Sequence, residues 1–184
     1  MCLCDALAIQ VFCFDGIGAD EYWSSFVINE PLTKVLPAIM PAAVAWAEQM
    51  ALEIARFGSP LNEAGASVAL KVGVVRIERV RILEVDAIPL PDDPVLLQAV
   101  RLGDFVGEDS VGLALGYGIF IRKGSVDGRL IAHELRHVHQ YEQAGSIADF
   151  LPQYLMDVAK CGYRNSRFEI DAREHEVAGL IGLS

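Results

Sequence analysis

Residues 133–137 read His-Glu-Leu-Arg-His, inside a stretch whose apolar residues Leu130, Ile131, Leu135 and Val138 form a stripe at helical spacing. On an α-helix, residues four apart project from one face about a turn apart, so His133 and His137 can grip a single metal ion. Glu134 stands about 100° around the helix from His133, close enough to reach a metal-bound water without itself binding the metal. Zinc suits this H-E-x-x-H pair, because it takes nitrogen ligands in a tetrahedral shell and leaves two places, one for a further protein ligand and one for water. The fold must therefore bury one side of this helix and keep the histidine side open to a cleft.

The third ligand decides the subclass. The pattern H-E-x-x-H-x-x-G-x-x-H would require Gly and His where the sequence has Gln140 and Gln143, so a third histidine of that kind is excluded. A carboxylate from a later helix is the alternative, and the segment 168–173 offers Glu169 and Asp171. These point about 200° apart on a helix, so at most one faces the zinc. Glu169 is expected, since Ala172 is small enough for close packing against the zinc helix and Arg173 can hold the carboxylate from four residues away. Glu174, His175 and Glu176 are expected to be solvated. His139, two positions from His137, should face away from the metal. Gln140 and Tyr141 lie near the ligand face, where either could orient a ligand or touch substrate. Tyr117, Tyr154 and Tyr163 are candidates for stabilising a tetrahedral oxyanion.

Around this centre the chain reads as mixed α and β. Apolar spacing predicts a helix from about Pro41 to Phe57, ended by Gly58 and Pro60, and a short one over 62–71. Val80, Ile82 and Leu83 suggest a strand, with Arg76, Arg79 and Arg81 as its wet face. Asp92 and Asp93 look like a cap for a helix with Pro94 in its first turn, running to about Leu102. The run GLALGYGIFIR, 112–122, reads as a strand or a hairpin with a bulge. Helices follow at about 127–143, 147–160 and 167–180, with Gly145 and Gly162 as punctuation.

Composition narrows the function classes. The 184 residues are 53% hydrophobic, enough for a substantial core, and no repeat or polar linker divides them. A single domain over 1–184 is expected, with a helical part of unassigned role at 1–75 and the sheet and zinc-binding core at 76–184. Fifteen basic against twenty-five acidic residues give a charge of −10, which repels nucleic acid. The mean hydropathy of +0.34 raises the question of a membrane span. The longest uncharged run, 35–47, is broken by Pro37 and Pro41, so no span is expected. Three of the four cysteines, Cys2, Cys4 and Cys13, crowd into the first thirteen residues and make no disulfide framework with Cys161. The first fourteen residues lack a basic leader region, which makes the cytoplasm the expected location.

The run LALGYGIFIRKG, followed by a short loop and RLIAHELRHVHQYE, resembles the core of minimal bacterial zincin-like domains of gluzincin type. The likeness covers roughly the last 75 residues. It implies a compact α+β fold, mostly helical, with a small twisted sheet above the zinc helix. It also implies a metallopeptidase, with His133, His137 and Glu169 as ligands and Glu134 as general base, acting on a peptide or protein. Asp171 stands where that family often has Glu, and Arg173 replaces an acidic residue. The different class to weigh against this is a zinc-binding module whose metal only fixes the helices, with a shell closed by four protein ligands.

Overall fold

The computed structural model describes residues 32–176 apart from 104 and 108. Cys2, Cys4, Cys13, the leader region and the expected last turn of the final helix, 177–180, lie outside these residues. The described chain is mixed α and β, with six α-helices around a four-stranded sheet. In chain order the elements are α1 (Leu32–Phe57), β1 (Ser59–Pro60), α2 (Glu63–Lys71), β2 (Arg81–Val85), α3 (Pro94–Gly103), β3 (Gly112–Leu115), β4 (Gly118–Arg122), α4 (Gly128–Ala144), α5 (Ile147–Cys161) and α6 (Arg167–Glu174).

The sheet runs β1-β2-β4-β3. β2 and β4 are parallel, from Arg81 opposite Gly118 to Val85 opposite Arg122, while β1 and β3 pair antiparallel at the two edges. β4, with neighbours on both sides and helices on both faces, is apolar and buried from Gly118 to Ile121 and ends at the half-buried Arg122. Ile119 and Ile121 point to the layer made by α2 and α4, where Val68, Val72, Ile131, Leu135 and Val138 complete one buried cluster. Phe120 points the other way, among Leu36, Ala47 and Ile54 of α1 and Leu151 and Leu155 of α5. This alternation is the two-residue period of a strand. α1 crosses β4 closely, since a Cβ at Gly118 would lie 2.8 Å from the Ile54 side chain.

Four expectations need correction. The first helix begins at Leu32 and runs through both Pro37 and Pro41, rather than starting at Pro41. Its buried residues Leu36, Ala43, Ala47 and Ile54 keep one stripe on the sheet, and that packing outweighs the two backbone hydrogen bonds the prolines remove. α1 is consequently long and apolar enough to cross a membrane, by length and composition alone; 17% of its most apolar window is buried. The hairpin has no bulge: Gly112 faces Ile121 and Leu115 faces Gly118 in unbroken register, closed by Gly116 at φ 63° and Tyr117. Arg76 and Arg79 are not on a strand, because residues 77–79 form a 3-10 turn and β2 begins at Arg81. The last helix stops at Glu174, where the His175 ring reaches back to the Asp171 carbonyl at 2.8 Å and takes a carbonyl that a further turn would have used. β1 joins the sheet from the N-terminal part of the chain, so the sheet spans the expected division near residue 75.

Candidate metal centre

The H-E-x-x-H segment lies in the middle of α4. Asp127 caps this helix by accepting from the Arg129 and Leu130 amides at 2.7 and 2.9 Å, and Gly145 closes it with φ 105°. Ile131, Ala132, Leu135 and Val138 are buried against the sheet, which turns His133 and His137 toward α5 and α6. α6 is fixed at its start by Asp157 of α5, which accepts from the Ser166 hydroxyl at 2.8 Å and the Arg167 amide at 2.9 Å. The carboxylate of Glu169, in the first turn of α6, is thereby held against both imidazoles.

The resulting group is tight. His133 Nε2 lies 3.2 Å from His137 Nε2 and 3.3 Å from Glu169 Oε2, and His137 Nε2 lies 3.2 Å from Glu169 Oε1. One ligating atom from each residue falls within 4.8 Å of the others. The Glu169 side chain is 1% exposed, and its Oε2 is buried without a hydrogen-bond partner. A buried carboxylate oxygen in that state is expensive unless a cation meets it.

The outer ring nitrogens indicate the tautomers. His137 Nδ1 is 2.8 Å from Gln140 Oε1. That amide is oriented by its own nitrogen, which donates to the Phe168 carbonyl at 3.0 Å and to Asp171 Oδ2 at 2.7 Å, both of which only accept. His133 Nδ1 is 3.3 Å from Glu176 Oε1, again an acceptor. Both rings therefore carry hydrogen on Nδ1 and turn the Nε2 lone pair inward, the arrangement a metal requires. Three side chains with inward lone pairs and an unmet carboxylate oxygen fit a metal ion.

Electrostatics follow from burial and neighbours. Burial raises the pKa of Glu134 above the ordinary carboxylate value, and the Glu169 charge adds to this against the pull of the two imidazoles and the Ala114 amide. Burial acts the same way on Glu169, but His133, His137 and the Tyr154 hydroxyl outweigh it and hold this carboxyl far below the usual range. Burial disfavours the charged form of His133, yet Glu169, Glu134 and Glu176 together leave its pKa above the ordinary histidine value.

Glu134 is 5% exposed and stands beside the group without belonging to it. The Ala114 amide of β3 donates to its carboxylate. β3 also comes so close at Gly112 that a Cβ there would clash with Glu134 Oε1. His133, Glu134, His137 and Glu169 line a cavity of about 700 Å³ that Tyr154, Tyr163 and Gly112 also line.

The other candidates sort by position. Asp171 does not face the metal group; it pairs with Arg136 at 2.7 and 2.8 Å and accepts from Gln140. Tyr154 donates to Glu169 Oε1 at 2.7 Å, so its hydroxyl is already engaged. Tyr117 is away from the site, at the hairpin turn with the Arg79 guanidinium 4.0 Å from its ring centre. His139 faces the Gly73 carbonyl at 2.7 Å. Tyr141 is buried against Phe150 and also lines the cavity. Arg173 Nη1 is 3.9 Å from Glu169 Oε2, while its Nη2 donates to the Arg164 carbonyl. Glu174 is exposed, whereas His175, expected in solvent, is half-buried beside Asp171.

Sequence reasoning missed Glu176, which was expected in solvent. It lies beside His133 and accepts from Arg129 Nη2 at 2.6 Å, with its side chain 18% exposed. No helical spacing announces it, because it sits beyond the end of α6. The cavity wall contributed by α1 and α3 was likewise invisible. Comparison with protein-family models, curated protein sequences and solved structures gives no match to this chain, so the reading of the site stands on its own geometry and chemistry.

Proposed function

We propose that this chain is a zinc-dependent metallohydrolase of compact zincin, gluzincin-like type that hydrolyses peptide bonds. His133, His137 and Glu169 are its zinc ligands and Glu134 its general base. The observation that carries this reading is the pairing of a buried His/His/Glu group with a second, separate buried carboxylate, all lining one cavity. Two imidazoles and a carboxylate are donors that zinc accepts. When bound, zinc supplies a Lewis acid that polarises a carbonyl and makes water acidic.

The protein's own groups do the rest. Glu134 needs to be a carboxylate to take a proton, and the neighbouring imidazoles oppose the rise in its pKa that burial causes. The Ala114 amide holds it in place, so its free oxygen can accept a proton from water and later deliver it to a leaving amine. Tyr154 and Tyr163 both line the cavity and both hydrogen-bond Glu169, so either hydroxyl would have to leave that carboxylate to donate to a developing oxyanion. A purely structural zinc site would close its shell with four protein ligands; among the described residues three such side chains come together, with a cavity beside them.

Glu134→Gln tests the proposal. The amide keeps the size of the side chain but cannot take a proton, so zinc content should remain about one per chain while peptide turnover falls at least about a hundredfold. Glu169→Ala should instead lose most of the zinc. Equal peptide cleavage by wild type and Glu134→Gln would rule out the assigned base, and zinc retained at full stoichiometry in His133→Ala and His137→Ala would rule out the site.

A further inference from the structure

Tyr141, Tyr154 and Tyr163 line the cavity of the metal group, and their hydroxyls are disposed differently. Tyr154 and Tyr163 both bond Glu169. Tyr141, on α4, is 5% exposed with its ring held against Phe150, the ring centres 4.4 Å apart, yet its hydroxyl bonds no described residue. A buried tyrosine normally finds a partner for that group. Among the described residues, Glu169 Oε2 is the side-chain atom sealed off without a partner, so the Tyr141 hydroxyl, equally unpaired, opens onto space. Tyr141 stands between the metal cavity and a second one beside the hairpin turn. Side chains on a helix lean toward its N-terminus, which turns this hydroxyl toward His137 and Glu134, four and seven residues earlier. Glu134 is also the residue whose charge acts on it, whereas Glu169 acts most strongly on Tyr154 and Tyr163. Burial pushes the Tyr141 pKa above its ordinary value, so the group keeps its proton and is a neutral donor.

We infer that the Tyr141 hydroxyl is a substrate-binding group that donates to the backbone carbonyl of the peptide unit next to the scissile bond, on the Glu134 side of the site. The inference rests on the metallohydrolase reading and deepens it. A peptide offers such an acceptor at every residue, whatever its side chains, and a neutral donor meets it without burying a charge. That carbonyl keeps its charge through the reaction, so the bond is equally strong in the ground state and the transition state. Tyr141 thus holds the peptide in register, while the reacting atoms stay with the ligands and Glu134.

The test uses the full-length zinc-loaded protein and a pair of hydroxamates, with affinity read by calorimetry. Levulinic hydroxamate carries a ketone where the neighbouring peptide carbonyl falls, and pentanoic hydroxamate has a methylene there. Tyr141→Phe should weaken binding of the ketone compound by about three- to tenfold, the usual worth of a neutral hydrogen bond. Its affinity for the methylene compound and its zinc content should match the wild type. Because the hydroxyl bonds nothing in the free protein, the variant should also keep the wild-type thermal midpoint. Equal losses for the two compounds, no loss for either, or a lowered thermal midpoint would overturn this inference alone. Failure of the wild type to take up zinc, or to bind either compound once loaded, would overturn the metallohydrolase reading and this inference with it.

Discussion

The two candidate ligand histidines lie one helical turn apart and are held in different ways. His137 is braced from inside: its Nδ1 meets Gln140, whose amide is fixed by Asp171 and the Phe168 carbonyl, and Asp171 is clamped by Nε and Nη2 of Arg136. His133 is braced from the rim, where Glu176 shares its carboxylate with Arg129, a residue whose side chain is 69% exposed. The first support is a partly buried chain of oriented dipoles ending in a bidentate ion pair; the second is an ion pair whose arginine is exposed to water and salt. The difference teaches that the two ligands need not contribute equally to holding a metal.

The sharpest way to break the comparison is Gln140→Leu, which removes the acceptor for His137 Nδ1 and the fixed point for Asp171. Zinc affinity in a chelator competition should fall by about 10- to 100-fold, the usual consequence of losing an outer partner of a metal-ligating histidine. An unchanged affinity would mean that helix geometry alone orients His137.

Acidity gives the next largest effect. The pKa of His133 is raised, so in the metal-free protein this ring holds its proton to a higher pH than an ordinary histidine. Metal binding requires the neutral ring, and the proton must leave first. Zinc affinity should therefore weaken as pH falls, beginning above the ordinary histidine value near 6.5, by about tenfold per pH unit for each proton displaced. The sign for stability is the reverse: protonated His133 stabilises the metal-free fold below the unfolded-state pKa, and that contribution disappears as pH rises through the raised value. Titrating zinc affinity from pH 8 to 5.5 checks this; a flat profile down to pH 6 would contradict it.

Glu176→Gln should have the smallest effect, weakening zinc binding less than tenfold, because the amide can still accept from His133. In the wild type, raising the salt from 0.05 to 0.5 M should mimic part of this loss by screening Arg129 from Glu176, roughly as the Debye length shortens. Gln140→Leu should show no added salt dependence. If salt and Glu176→Gln each weaken binding as much as Gln140→Leu does, the two braces are equivalent.

The same contrast explains what could be read from the sequence. His133, Glu134 and His137 announce themselves by spacing on one helix, and the choice of Glu169 over Asp171 needed the angle between the two positions together with the small Ala172 and the basic Arg173 on the side of Glu169. Gln140, three residues from His137, was legible as a candidate for the same reason. Glu176 was not, since its approach to His133 depends on where α6 stops, and the stop depends on the His175 ring binding the Asp171 carbonyl. α2, α4 and α5 follow their caps and glycines closely, whereas α1 overran its prolines because a buried stripe on the sheet decides its extent. β1, two residues long, carries no pattern at all and exists only because β2 offers it an edge. Local signals were thus readable and tertiary consequences were not.

The close approach of β3 to α4 at Gly112 reaches beyond this one molecule. The nearest atoms an added Cβ at that position would meet all belong to the Glu134 side chain. On the proposed metallohydrolase reading, exchange of this glycine for alanine would push the assigned base aside while leaving the whole H-E-x-x-H signature intact. Sorting active copies from silenced ones would then depend on a residue twenty-one positions before the first histidine, on a strand that signature searches never inspect.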